Sequence, residues 1–153
     1  MIVTTPFVCG ERPSAMRRLV HVATATTLLG IGALHILWGR GSTFPFASRD
    51  DLNETVIGRD ATPSAGACYA VAGLLTAAGA LVAGLPTPRS RLRRLGVCTV
   101  SVTLAARAAL GFSGKTELVS PGSVSPRFLR MDKRFFSPLC AALAVGAATS
   151  LRG

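Results

Sequence analysis

The sequence predicts an all-α, polytopic membrane protein with four transmembrane helices in a compact bundle. Three observations carry that expectation. Of the 153 residues, 49% are apolar, and the mean hydropathy of +0.45 exceeds what the core of a soluble domain requires. The excess is gathered into four runs, residues 19–38, 64–85, 95–112 and 137–151. Between the runs lie a short arginine-dense stretch and two long segments rich in Gly, Ser and Pro, as expected of spans and their connections.

Residues 1–16 show no periodicity and read as a mobile tail ahead of a domain covering residues 17–153. Met16, followed by Arg17-Arg18, could serve as an alternative start, and Cys9 lacks the residues that precede a lipidated cysteine. The first run is 20 residues long and ends in "LHILWGRG". It is longer than a signal-peptide core and has no small-x-small cleavage pattern, so it reads as an anchor. The second and third runs, of 22 and 18 residues, can each cross a hydrocarbon core of about 30 Å at a rise of about 1.5 Å per residue. The fourth has 15 residues and is short for a crossing, so its helix should begin in the interface before Ser137. Ser125-Pro126 reads as an N-cap followed by a first-turn proline, with Pro138 at a kink or a fresh helix start.

The net charge of +10 and pI near 11.2 do not indicate a nucleic-acid binder, because the basic residues fall between hydrophobic runs rather than on one folded surface. They are better placed to set topology and to meet anionic lipid headgroups. Arginine outnumbers lysine fifteen to two, a bias that, with the abundance of Ala, Gly and Thr, points to a GC-rich bacterial gene. Counted by side, the basic residues tie at eight each, leaving Arg107 inside a run. Local density breaks the tie: "PRSRLRR" puts four arginines in the shortest connection and Arg17-Arg18 abut the first run. Both termini are therefore expected on the cytoplasmic side of a bacterial plasma membrane. Six of the seven acidic residues then fall in the two long outer loops, where recognition is most expected.

Helices in lipid approach closely through small residues one turn apart. Such ladders occur at Thr26 and Gly30, at Ala72, Thr76, Ala80 and Gly84, at Ser101, Ala105 and Ala109, and at Ala142, Gly146 and Ser150.

Few residues suggest chemistry. Arg107 is the one permanently charged group inside a run, so it should be paired, snorkelled or lining a cavity. His35 and Trp38 share a helix face at the outer end of the first span, Trp38 as an interfacial belt residue and His35 as a buried histidine hydrogen-bonded to a neighbouring helix. No second histidine is near, and no metal site or cofactor is expected. "GRG" at residues 39–41 follows a membrane helix rather than a strand, which excludes a phosphate loop. Cys9, Cys68, Cys98 and Cys140 form no C-x-x-C. Cys68 and Cys140 match in depth, but packing is the commoner role and no disulfide is expected.

Read together, "LHILWGRG", "AARAALGFSG" and "DKRFFSPLCAALA" resemble a family of small four-helix bacterial integral membrane proteins catalogued as a domain of unknown function. The resemblance covers roughly residues 19–150. Its signature matches here at Leu34, His35, Trp38 and Gly41, at Arg107 and Gly111, and at Asp132, Arg134, Ser137, Pro138, Leu139 and Cys140. Phe136 departs from it, a tyrosine being usual before the Ser-Pro. The resemblance implies a membrane location and no reaction.

Those motif residues lie at the outer ends of the helices, where His35, Arg107 and Asp132 could meet across the bundle. The binding candidates are accordingly His35, Trp38, Arg107, Asp132, Arg134 and Ser137. The first reading is a non-enzymatic membrane protein whose outer polar cluster stabilises the bundle or binds a lipid or a membrane protein partner. The alternative is a membrane enzyme acting on a lipid-like substrate, with His35 as acid/base, Arg107 binding an anionic group and Asp132 orienting either.

Overall fold

The computed structural model describes residues 12–59, 62–85 and 90–152, and all regular structure among them is helical. In chain order, α1 (Arg12–Gly39) is followed by α2 (Arg49–Leu52), which runs into a π-helical turn (Asn53–Ile57). Two long helices follow, α3 (Ala65–Ala83) and α4 (Arg91–Phe112). After a short 3-10 turn (Thr116–Leu118), α5 (Pro126–Met131) passes through a second π-helical turn (Asp132–Phe136) directly into α6 (Ser137–Thr149).

Serine hydroxyls set two of the starts. Ser64 accepts from the N–H of Ala67 at 3.2 Å and Ser90 from that of Arg93 at 3.0 Å, each satisfying a donor that the first turn leaves without a partner. α3 stops at Gly84, whose φ of +94° suits a residue without a Cβ. α4 begins four residues ahead of its apolar run. Arg93 turns back to the end of α3, its Nε 2.9 Å from the carbonyl of Leu81, placing a cation at the negative end of that helix.

Residues 12–16, expected as part of the tail, are helical; residues 1–11, including Cys9, lie outside the described residues, as do residues 86–89 of the basic connection. The fourth hydrophobic run does extend upstream of Ser137: the chain is helical without a break from Pro126. Ser125 stands before Pro126 as expected, but its hydroxyl is buried and makes no cap hydrogen bond. Its backbone N–H instead reaches the carbonyl of Gly58 at 3.0 Å.

Three helical stretches, Ala15–Gly39, Ala65–Ala83 and Arg91–Phe112, are long and apolar enough to cross a membrane. α6, with 13 residues, is not by itself. The four long helices close a ring of contacts, α1 on α3, α3 on α4, α4 on α6 and α6 on α1, with α1/α3 and α4/α6 the more extensive pairs. Leu28, Val82, Val97, Leu143 and Ala147 fill its centre.

Small residues make the close approaches, although several of the expected ones face outward. A Cβ on Gly79 would lie 3.3 Å from the carbonyl oxygen of Ala25, and one on Gly146 would collide with Thr24. By contrast Thr26, Gly30, Thr76, Ala105, Ala109 and Ala142 are exposed. The helices are apolar on every side, so the spacing of small residues alone does not distinguish the inward stripe. That stripe is chosen by fit between neighbours, such as Gly146 on α6 against Thr24 on α1.

Glycine substitutions test this arrangement. Gly73 has open space where a side chain would grow, so Gly73→Ala should stabilise the detergent-solubilised protein by about 0.5–1 kcal/mol, the helical penalty of glycine. Gly146→Ala should lower the thermal midpoint despite the same gain in propensity, because Thr24 occupies the space.

Candidate functional site

The end of the α4/α6 pair where α4 finishes and α6 begins is organised by a local irregularity in the chain. Pro138 has no N–H to offer the carbonyl one turn back and its ring crowds that position. The helix widens just ahead of it: the N–H of Ser137 bonds to the carbonyl of Asp132, five residues back. In a regular α-helix those two side chains would diverge by about 140° around the axis. Here they meet, with the Ser137 hydroxyl donating to Asp132 Oδ1 at 3.1 Å.

Asp132 has no exposed surface, and each of its carboxylate oxygens accepts two hydrogen bonds. Oδ1 takes one from Arg107 Nη2 at 2.9 Å besides that from Ser137, and Oδ2 takes one from Thr116 Oγ1 at 2.6 Å and a longer one from Arg107 Nη1 at 3.3 Å. The guanidinium therefore grips the carboxylate through both nitrogens, the strongest form of such a pair. The two partners differ in setting: the Arg107 side chain keeps 27% of its surface while that of Asp132 keeps none. Arg107 is thus paired rather than merely snorkelled. Gly111 makes the approach possible, since a Cβ there would collide with the Ser137 hydroxyl and come within 2.8 Å of Arg107 Nη1.

Thr116 ties the cluster to the loops. It opens the 3-10 turn that leads to Ser120 and Ser123, and the Ser123 hydroxyl donates to the carbonyl of Ile57 in the other long loop. Val124 and Ser125 both donate backbone N–H groups to the carbonyl of Gly58 at 3.0 Å. Phe128 of α5 is buried against Gly58, and Arg127 pairs with Asp51 at 2.8 Å. The two loops and α5 form one packed cap over this end of the molecule.

His35 and Trp38 lie elsewhere. His35 Nδ1 is 2.9 Å from the carbonyl of Ile31 on its own helix rather than on a neighbouring one, its ring centroid is 4.9 Å from that of Trp38, and Trp38 Nε1 donates to the carbonyl of Phe44 at 2.7 Å. Both line a pocket of about 230 Å³ bounded by α1, α3 and the first long loop. None of the hydrogen bonds around Asp132 comes from His35, so the expected meeting of His35, Arg107 and Asp132 becomes two separate features. The pocket with His35 lies against α3 and the first long loop, whereas every group bonded to Asp132 comes from α4, the turn after it and the start of α6. Arg134 joins neither; it is exposed and lies over the ring of Phe135 at 5.7 Å. Thr116, Arg49 and Arg59 belong to these two features and were not foreseen. A loop threonine or arginine carries no periodicity that would single it out.

Cys68, Cys98 and Cys140 are free thiols, with Cys68 and Cys140 on helices that do not adjoin in the ring. No group of three His, Cys, Asp or Glu among the described residues is placed to hold a metal ion.

The energetics of the carboxylate are testable. Arg107→Gln leaves a buried charge with only neutral donors and should cost about 3–5 kcal/mol in unfolding experiments in detergent. Adding Asp132→Asn should restore part of that loss, because the stranded charge goes with it. Strict additivity of the two single effects would show that the pair is not coupled.

The comparisons with known proteins bear on the same region. A family model described as "Protein of unknown function (DUF3995)" matches residues 28–147, a stretch that includes His35, Trp38, Arg107, Asp132 and Ser137. No curated protein and no solved structure matches the chain. The chain belongs to the DUF3995 family.

Proposed function

We propose that this DUF3995 member is a non-enzymatic, multi-pass protein of a bacterial plasma membrane. In this reading it makes four crossings with both termini cytoplasmic, and the outer cluster of Arg107, Asp132, Thr116 and Ser137 is a structural staple. The observation that carries the reading is the completeness of the hydrogen bonding at Asp132. A carboxylate has about four acceptor positions, and all are filled by groups of the chain itself. An acid/base mechanism built on His35, Arg107 and Asp132 would need the three to share a substrate, and His35 lines a different feature.

The fourth crossing is supported by the unbroken helix of residues 126–149, about 36 Å at the usual rise. Its first turns carry Arg127, Arg130, Lys133 and Arg134, all exposed, as befits a segment that starts among headgroups before entering the hydrocarbon. At the opposite end of the bundle, Arg17, Arg18, Arg91 and Arg94 are exposed and suited to anionic lipid on the cytoplasmic leaflet.

Reporter fusions check the orientation. A fusion at Ser90 should report a cytoplasmic position and one at Gly122 an external one. The reverse pattern would place the cap and the staple on the cytoplasmic face and overturn the assignment.

A further inference from the structure

The pocket beside His35 and Trp38 is built for a ligand of a particular kind. Its lower wall comes from α1 and α3: Trp38 from one side, Cys68 and Val71 from the other. Val71 is 39% exposed on the outer surface of α3, so the pocket is bounded there by a residue that also faces the surroundings of the helix. Leu52, Val56 and Ile57 of the first loop close the apolar part. The rim is basic, with Arg49 and Arg59 both lining it.

The state of those two arginines is informative. Arg49 donates to the carbonyl of Gly41 at 2.9 Å and Arg59 to that of Pro121 at 3.2 Å. Each guanidinium is thereby steered by a neutral backbone oxygen that uses few of its five donors. Neither has a carboxylate within ion-pair distance among the described residues, whereas Arg107 and Arg127 both do. Two acidic residues of this loop, Asp51 and Glu54, are turned to Arg127 instead. Two cations with spare donors thus line the same hollow as Trp38, Leu52 and Val71.

We propose that this pocket binds an anionic amphiphile, its phosphate or carboxylate held between Arg49 and Arg59 and the first part of its apolar chain packed against Trp38, Val71 and Leu52. An apolar cavity of about 150 Å³ holds a benzene ring, so the pocket's volume of about 230 Å³ takes a small head with a few methylenes, and the remainder of the chain leaves past Val71. The setting rests on the topology proposed above, which puts the pocket at the outer boundary of the bilayer. Binding itself is read in detergent solution and does not depend on that orientation.

Trp38 is the sole tryptophan of the chain, so intrinsic tryptophan fluorescence reports on the pocket directly. The full-length protein in a neutral detergent is titrated with dihexanoyl phosphatidic acid. Parallel titrations use dihexanoyl phosphatidylcholine and inorganic phosphate. The expected result is a saturable spectral shift with the phosphatidic acid alone. In the Arg49→Gln, Arg59→Gln double variant, which keeps a polar side chain at each position while removing both charges, the affinity should fall about tenfold or more, the equivalent of about 1.4 kcal/mol. Lysine at both positions should retain most of the affinity, and an unchanged thermal midpoint in the glutamine variant shows that the loss is not one of folding. An equal response to the phosphatidylcholine, or an unaltered affinity in the glutamine variant, overturns the proposal. Saturation by inorganic phosphate with the same shift would assign the pocket to a free anion and equally overturn the amphiphile.

Discussion

Burying a carboxylate away from water costs several kcal/mol unless other groups replace its hydration. At Asp132 the replacement is complete: a two-pronged guanidinium and two hydroxyls. These donors come from three separate parts of the chain, α4, the 3-10 turn after it and the start of α6. None of them can move away without uncovering the charge, so a single side chain fixes the relative positions of all three. The arrangement also explains two local peculiarities. The π turn at Asp132–Phe136 brings Ser137 round to the carboxylate, and Gly111 leaves the room in which the guanidinium and that hydroxyl sit.

The consequences extend beyond the pair of helices. With Thr116 anchored, the segment that follows is directed across the molecule, where Ser123, Val124 and Ser125 bond to the carbonyls of Ile57 and Gly58. Ser120 of the same segment lines the pocket that holds His35 and Trp38. The staple and the pocket are chemically distinct, but they share this loop. A loop rich in Gly, Ser and Pro would otherwise have little to order it, since such segments bury little apolar surface. The polar cluster supplies that order through hydrogen bonds rather than through apolar burial.

The long helices were legible because their signal is length and composition, which depend on the solvent rather than on partners: α1 and α4 contain the first and third runs read from the sequence, and α3 covers all but the ends of the second. The charge in the third run was legible too, because an arginine there demands a partner, and the concentration of acids in the outer loops offered one. Asp132 was accordingly identifiable, while Thr116 was not; its role depends on a loop path that no local pattern encodes. The inward faces were misread at Ala105 and Ala109, since helices apolar all round carry no contrast between the side that meets a neighbour and the side that does not. The pairing of His35 with the charged cluster failed for a related reason. Matching depth along the bundle does not say which groups a side chain meets, and His35 meets the carbonyl of Ile31 and the ring of Trp38 instead.

The central claim is that one carboxylate orders the whole cap formed by the two long loops and α5, and hydrogen exchange read by mass spectrometry on Asp132→Asn in detergent tests it most directly. The backbone amides of residues 116–125 should exchange faster in the variant, and those of residues 53–58 with them, because the carbonyls of Ile57 and Gly58 are held by Ser123, Val124 and Ser125. The core of α1 and α3 around Leu28 and Val82 should keep its protection. Unchanged exchange in both loops, or a uniform increase throughout the four helices, would contradict the account: the first would show that the cap is ordered without Asp132, the second that the carboxylate serves the bundle as a whole rather than its outer end.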